Sequence, residues 1–264
     1  MIHRRDADGP RTVSMRGRRF VVADDKPTFW DKAEAGQWEP ETLAALEDAV
    51  TAGCDVLDIG AWVGPTVLFS GALGAGRIVA VEADPRALEL LRGNLAANPD
   101  LAARVTVVAA AASPDGAPVK LGAARKRGDS MSSALLSASA DVWEAPGVTP
   151  AALFAELDGE APLVVKIDIE GGEYALLPAL AAILPERCRK LLVAFHPALL
   201  AAAGVGDAEV ARRTRAAFEA LSWFVPTLLE DAPLPGASAR DVAETRNVTV
   251  LFRRPGDPGQ PNRG

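Results

Sequence analysis

The residues with most chemistry in them are acids that stand where apolar runs end. Val56, Leu57 and Ile59 belong to a run that carries Asp58 and stops at Gly60, and Gly64 follows. The resulting pattern, D-x-G-x-x-x-G, falls where a strand must turn into a helix. Gly60 can adopt backbone angles closed to other residues and lets a ligand approach the main chain, while the free N–H groups of the next helix would face that ligand's polar atoms. A second run, IVAVEADP, ends in Glu82. It stands roughly 20 residues beyond the first, the offset at which an acid caps a ribose diol in doubly wound folds.

The same spacing discriminates between cofactors. A dinucleotide fingerprint reads G-x-G-x-x-G, with its second glycine making room for a pyrophosphate; here Trp62 fills that place. Asp58 would repel a pyrophosphate but help to hold a cation such as an amino-acid ammonium. Both features favour S-adenosylmethionine over NAD.

A further polar set lies in LVVKIDIEGGE and LLVAFHP. Along an extended strand Lys166, Asp168 and Glu170 point to one side, polar where a buried central strand should be apolar. His196 follows an apolar run, beside Pro197. Methyl transfer from a sulfonium mainly requires an aligned acceptor and, for a hydroxyl, removal of its proton. His196 is the expected base, with Asp168 orienting it. Alternatively Asp168, Glu170 and His196 hold a magnesium-like ion that acidifies the acceptor, a route less favoured than direct base catalysis. The structural alternative makes Lys166 a buried counter-charge to the acids. The other histidine, His3, lies in the N-terminal stretch.

These residues need a scaffold, and the order of apolar runs supplies one. Strands are expected at 55–59, 77–82, 105–108, 163 onward, 191–197, 222–229 and 247–254, mostly with helical periodicity between them. Arg18 to Val22 is a further short candidate. Asp84-Pro85 marks a helix start, with Leu88, Leu91 and Leu95 as its buried stripe. Strands alternating with helices imply a doubly wound, mostly parallel α/β sheet of Rossmann-like type, whose ligands bind beyond the carboxyl ends of the strands. Asp58, Glu82, Asp168, Glu170 and His196 would converge on that rim. Residues 112–147, rich in Ser, Gly, Pro and Ala, interrupt the alternation as an insertion or lid, and Gly128 to Ser133 are its candidate cover over a ligand. The organisation expected is an N-terminal extension over 1–36, a domain over 37–254 and a disordered tail over 255–264.

Bulk properties limit the alternatives. A net charge of −7 argues against a broad nucleic-acid-binding face, and Arg125-Lys126-Arg127 is too short to reverse that. Cys54 and Cys188 lack metal-type spacing and are expected to be inert thiols. The N-terminus lacks the apolar core of a signal peptide, and no run reaches membrane-spanning length, so a cytoplasmic enzyme without membrane partners is expected.

Four blocks in order, WEPETLAALEDAVTAGCDVLDIGAWVG, IVAVEADP, VVKIDIEGGEYALL and LLVAFHP, resemble the FkbM-type family of S-adenosylmethionine-dependent methyltransferases over roughly residues 37–200. The first two are shared by many methyltransferases, while KIDIEGGE is the more specific mark. The resemblance implies a seven-stranded class I methyltransferase sheet with an antiparallel last strand. It places Asp58, Gly60 and Gly64 on the methionine side of the cofactor and Glu82 on the ribose. Asp84 or the segment Ala109-Ala110-Ala111 would meet the adenine, and Trp38 and Glu39 would close over the cofactor. The chain departs from the family in lacking a polar residue after the third strand and in carrying Ala194 where relatives commonly have an acid. The function expected is O-methylation of a hydroxyl on a sugar, polyketide or other small metabolite. N-methylation and a cofactor-binding protein without catalysis are the alternatives.

Overall fold

The computed structural model describes residues 9–23, 26–157, 159–229 and 233–257. The expectations for His3 and for most of the tail lie outside them. A hairpin of β1 (Arg11–Met15) and β2 (Arg18–Val22) precedes α1 (Pro27–Glu34) and α2 (Pro40–Ala49). The alternating part starts with β3 (Asp55–Ile59), α3 (Pro65–Leu73), β4 (Ile78–Glu82), α4 (Pro85–Ala96), α5 (Pro99–Ala102) and β5 (Val105–Ala109). Every helix from α1 to α5 begins on a proline, whose fixed φ suits the first turn and whose missing N–H would have found no partner there.

Between β5 and the next long strand the chain builds a small separate sheet. Two-residue strands β6 (Ala111–Ala112) and β10 (Gly147–Val148) pair at its root, and β7 (Val119–Ala123), β8 (Ser132–Ser133) and β9 (Val142–Ala145) form three strands in the order β8-β7-β9. The main sheet resumes with α6 (Pro150–Ala155), β11 (Leu163–Ile167), α7 (Glu173–Ala181), β12 (Cys188–Phe195), α8 (Pro197–Ala202) and α9 (Asp207–Ala220). It closes with β13 (Val225–Leu229), β14 (Leu234–Pro235), α10 (Ala239–Ala243) and β15 (Val248–Arg253).

The strand order is β14-β13-β15-β12-β11-β3-β4-β5, with β15 antiparallel to both neighbours. This corrects the expected seven strands to eight in a mixed sheet. The extra strand, β14, pairs two residues with β13, too few to show any period in the sequence. From β3 the chain moves outward through β4 to β5, then returns to lay β11 on the other side of β3. That reversal is the switch point beyond which such sheets bind ligands.

Side chains alternate between two apolar layers. Leu57, Ile59, Val165, Ile167, Val193 and Phe195 enter one, while Val56, Val164 and Leu192 enter the other with the helices α2 and α3 and the N-terminal hairpin. Both faces are therefore covered, which keeps the central strands rigid where they end. Among the described residues no helix is long and apolar enough to cross a membrane.

Candidate active site

A cavity opens beyond the carboxyl ends of β3, β4 and β11. Gly60 lies on its wall with φ +86, but the close neighbour there is the protein itself, since a Cβ would stand 1.8 Å from the Asp168 carbonyl oxygen. The glycine lets β3 and β11 come together at the switch point. Gly64 starts α3 at φ +90 and packs on Leu91, away from the cavity lining.

Glu82, at the end of β4, lines the cavity while nearly buried. Its Oε1 accepts the N–H groups of Ala83 (2.8 Å) and Asp84 (2.7 Å), and its Oε2 accepts that of Trp62 (2.7 Å). Burial pushes this carboxyl up to about 7, against the pull of those N–H groups. A lone pair on Oε2 remains for a hydroxyl donor. Trp62, held at φ 49, thus aims the acid through its backbone. Ala110, Ala111 and Ala112 add a small-residue wall next to β5.

Asp84, expected together with the segment 109–111 as the alternatives for the adenine, has both carboxylate oxygens engaged within the protein. Its Oδ1 caps α4 through Arg86 N (2.8 Å) and Ala87 N (3.2 Å), and its Oδ2 accepts Gly128 N (2.6 Å) and the Ser132 hydroxyl (2.8 Å). It is buried, absent from the lining, and pins the insertion to the sheet. The Trp62 indole donates to Gly128 O (3.2 Å) and the Trp143 indole to Ala83 O (3.1 Å). Asp129, Ser130 and Ser132 consequently line the cavity.

Asp58 also lies behind the wall. It stands in register with Lys166 on the neighbouring parallel strand, its Oδ2 accepts the Thr66 hydroxyl (2.5 Å), and its Oδ1 is 3.4 Å from Lys166 Nζ. The same ammonium is 3.6 Å from Asp168 Oδ2. Burial opposes the lysine's charge, but Asp58, Asp168 and Glu39 outweigh it and hold the ammonium above its ordinary range. Lys166 is therefore the buried counter-charge of this end of the sheet. Glu39 lines the cavity beside Trp38, in left-handed backbone at φ 40; burial and the Asp168 charge push its carboxyl up to about 7.

The alternation expected to carry Glu170 to the same side as Lys166 stops early, because β11 ends at Ile167 and the chain turns left-handed at Glu170 (φ 52) and Gly171 (φ 97). The Ser133 hydroxyl donates to Glu170 O (2.5 Å) and holds this turn. Asp168 and Glu170 line the cavity. His196, the first residue past β12, is buried behind them, with Nε2 3.6 Å from Asp168 Oδ1 and 3.4 Å from Glu170 Oε2.

Sequence reading left Glu173 without a role, although it ends the KIDIEGGE block. Fully buried, it accepts His196 N (3.0 Å) and meets His196 Nδ1 (3.2 Å) through Oε1, while Oε2 accepts Gly171 N (2.8 Å). Burial pulls the imidazole toward neutrality, but Glu173, Asp168 and Glu170 prevail and push it up to about 9. That direction works against the base role expected of His196. Glu170, pushed up to about 7 by burial, lies closer to what a base requires. Cys54 and Cys188 are buried thiols raised by burial, away from the cavity.

A search of the curated proteins finds no match. Among solved structures the chain is similar to a methyltransferase FkbM from Methylobacillus flagellatus KT, at 16% identity and TM-score 0.47, over 88% of this chain and 56% of that one. This chain thus spans little more than half of that relative. It is also similar to fibrillarin from Aeropyrum pernix, solved with natively bound S-adenosyl-L-methionine (12% identity, TM-score 0.47, 92% and 82% covered). A third is an S-adenosylmethionine-dependent methyltransferase from Agrobacterium tumefaciens (12%, TM-score 0.45, 93% and 70% covered). The methyltransferase FkbM domain model matches residues 58–202, from the acid of β3 to the end of α8. With more than half of its length matched, the chain belongs to the FkbM methyltransferase family.

Proposed function

We propose that the chain transfers a methyl group from S-adenosylmethionine to a hydroxyl of a small molecule. The residues suit that cofactor. Glu82 keeps a lone pair for the ribose diol, the alanines 110–112 offer an apolar edge for adenine, and Glu39 and Asp168 face the end where the cofactor's ammonium and sulfonium charges would sit. Five carboxylates, Glu39, Asp58, Asp168, Glu170 and Glu173, gather there around Lys166 and His196, and burial raises Glu39, Asp58 and Glu170, a penalty that a bound cation relieves. When bound, the cofactor supplies an electrophilic methyl group.

The observation that carries the hydroxyl reading is Glu170. Its carboxyl is half-buried on the cavity wall and raised to about 7, near the operating pH at which a general base works best. Glu170 takes the acceptor proton, and His196, charged and held by Glu173, keeps the Glu170 and Asp168 carboxylates in place. The wall contributed by the insertion, with Val119, Leu121 and Ser130, would meet the acceptor. A screen of hydroxylated small molecules with methyl-labelled cofactor tests this. Glu170→Gln should lower kcat by about 10²–10⁴, the usual contribution of a general base, with cofactor affinity kept. An undiminished rate would turn the assignment to N-methylation, where a neutral amine needs no base.

A further inference from the structure

The three groups beside the cavity stand at ion-pair distance, wider than a close hydrogen bond. His196 Nε2 stands 3.4 Å from Glu170 Oε2 and 3.6 Å from Asp168 Oδ1, and donor atoms of all three residues lie within 4.8 Å of one another. Hydrogen bonds from ring nitrogen to carboxylate close to about 2.7–2.9 Å. Two donors bound at ~2.1 Å to one divalent ion stand roughly 3.0 Å apart at a right angle and 3.4 Å apart at the tetrahedral angle. The gaps from Nε2 to the two carboxylates are close to those between ligands of one ion.

The chemistry of the ring points the same way. Glu173 is fully buried and receives backbone N–H groups on both oxygens, so it is an acceptor and His196 Nδ1 must be the donor to it. That commits Nδ1 to Glu173. Nε2, on a side chain only 7% exposed, is left facing two carboxylates without a hydrogen bond among the described residues, and neither the Asp168 nor the Glu170 carboxylate accepts one from them. A proton on Nε2 serves one carboxylate at a time, whereas a divalent ion taking that proton's place would bind the ring nitrogen and both carboxylates at once. A carboxylate behind a histidine whose far nitrogen meets further carboxylates is the arrangement that orients metal-binding imidazoles. The left-handed backbone of Glu170, a strained conformation for a residue with a side chain, is what turns its carboxylate toward this point.

We infer that Asp168, Glu170 and His196 form a site for one divalent cation of the manganese type, opening on the cavity. Two carboxylates and one imidazole suit manganese better than magnesium, which prefers an all-oxygen shell. The inference deepens the hydroxyl-transfer reading and rests on it for its purpose: an ion here would bind the acceptor oxygen and favour its alkoxide, sending the proton to water, and Glu170 would then be a ligand in place of a base.

The test uses the full chain stripped with chelator and titrated with manganese chloride, following loss of the free-ion electron paramagnetic resonance signal. One ion per chain should bind, with nitrogen hyperfine coupling from the imidazole. His196→Gln should abolish that coupling, and Asp168→Asn or Glu170→Gln should weaken binding at least tenfold, while Glu209→Gln on the exposed face of α9 should change nothing. Thermal melts of each variant establish that it is folded. Absence of binding at millimolar manganese, or coupling and affinity unchanged in His196→Gln, would overturn the site. Cofactor calorimetry on the same stripped protein separates the two ideas. Binding and turnover without metal would leave the transferase reading standing with Glu170 as base, and loss of cofactor binding alone would leave the metal site standing.

Discussion

The sheet treats its buried acids in opposite ways at its two ends. At the amino end of β3, Asp55 accepts Arg77 Nε (3.3 Å) and Nη2 (3.0 Å) and Arg187 Nη1 (3.1 Å), so two guanidinium groups serve one carboxylate. At the carboxyl end, acids outnumber the cations that face them, and the Asp168 and Glu170 carboxylates accept no hydrogen bond from the described residues. Compensated charge belongs to stability. Charge left in excess costs stability and persists where a ligand will complete it.

The sharpest way to break this contrast is at its compensated pole. Asp55→Ala should destabilise the fold by about 3–5 kcal/mol, because it strips Arg187 of its carboxylate in a largely buried place; denaturant titration measures this, and a loss below about 1 kcal/mol would end the comparison. S-adenosylhomocysteine affinity of the folded fraction should be unaltered.

Next in size is the cofactor acid. Glu82→Ala should weaken S-adenosylhomocysteine by about 1.5–3 kcal/mol, the range for hydrogen bonds to a charged group, as read by calorimetry. The raised carboxyl adds a pH signature. Folded Glu82 binds its proton up to about pH 7 whereas the unfolded chain releases it near 4.5, so the native state holds more protons and the Glu82 contribution to stability falls as pH rises through that window. Glu82→Gln should flatten this fall in thermal melts, and a slope identical to the parent would remove Glu82 as its source.

Asp84→Ala should cost about 1 kcal/mol for the lost helix cap. It should also make residues 124–131 more sensitive to limited proteolysis, since the bonds to Gly128 and Ser132 go with it; an unchanged cleavage pattern would show that the insertion is held elsewhere. The smallest effect has the opposite sign. Asp168→Asn should raise the melting stability slightly, by up to about 1 kcal/mol, by removing one of the crowded charges. A clear destabilisation would show that Asp168 is as structural as Asp55.

Much of this was legible in the sequence because it depends on local rules. The D-x-G turn, the acid at the end of IVAVEADP and the proline-led helices each sit in a few consecutive residues, and the structure puts Gly60 and Glu82 on the cavity wall. What was hidden depends on partners distant in the chain. Asp84 looks like a cap followed by proline, which it is, but its second oxygen is committed 44 and 48 residues onward to Gly128 and Ser132. Nothing in the sequence around Asp58 shows that strand register sets Lys166 beside it. Nothing near His196 in sequence announces Glu173, which lies 23 residues back and holds its ring. The strand Arg11–Met15 and the two-residue β14 escaped because neither shows a pattern until its partner is known.

The insertion hangs from the sheet at fixed points: Gly128 and Ser132 on Asp84, Gly128 on the Trp62 indole, Trp143 on Ala83, and Ser133 on Glu170. Residues between those anchors contribute to the cavity without belonging to the main sheet or its two apolar layers. On the transferase reading proposed above, acceptor choice and cofactor grip would be separable traits, written in different stretches of the chain. Exchanging the segment between its anchors would then be a graft that alters the acceptor wall while the part of the cavity built by β3, β4 and β11 stays in place.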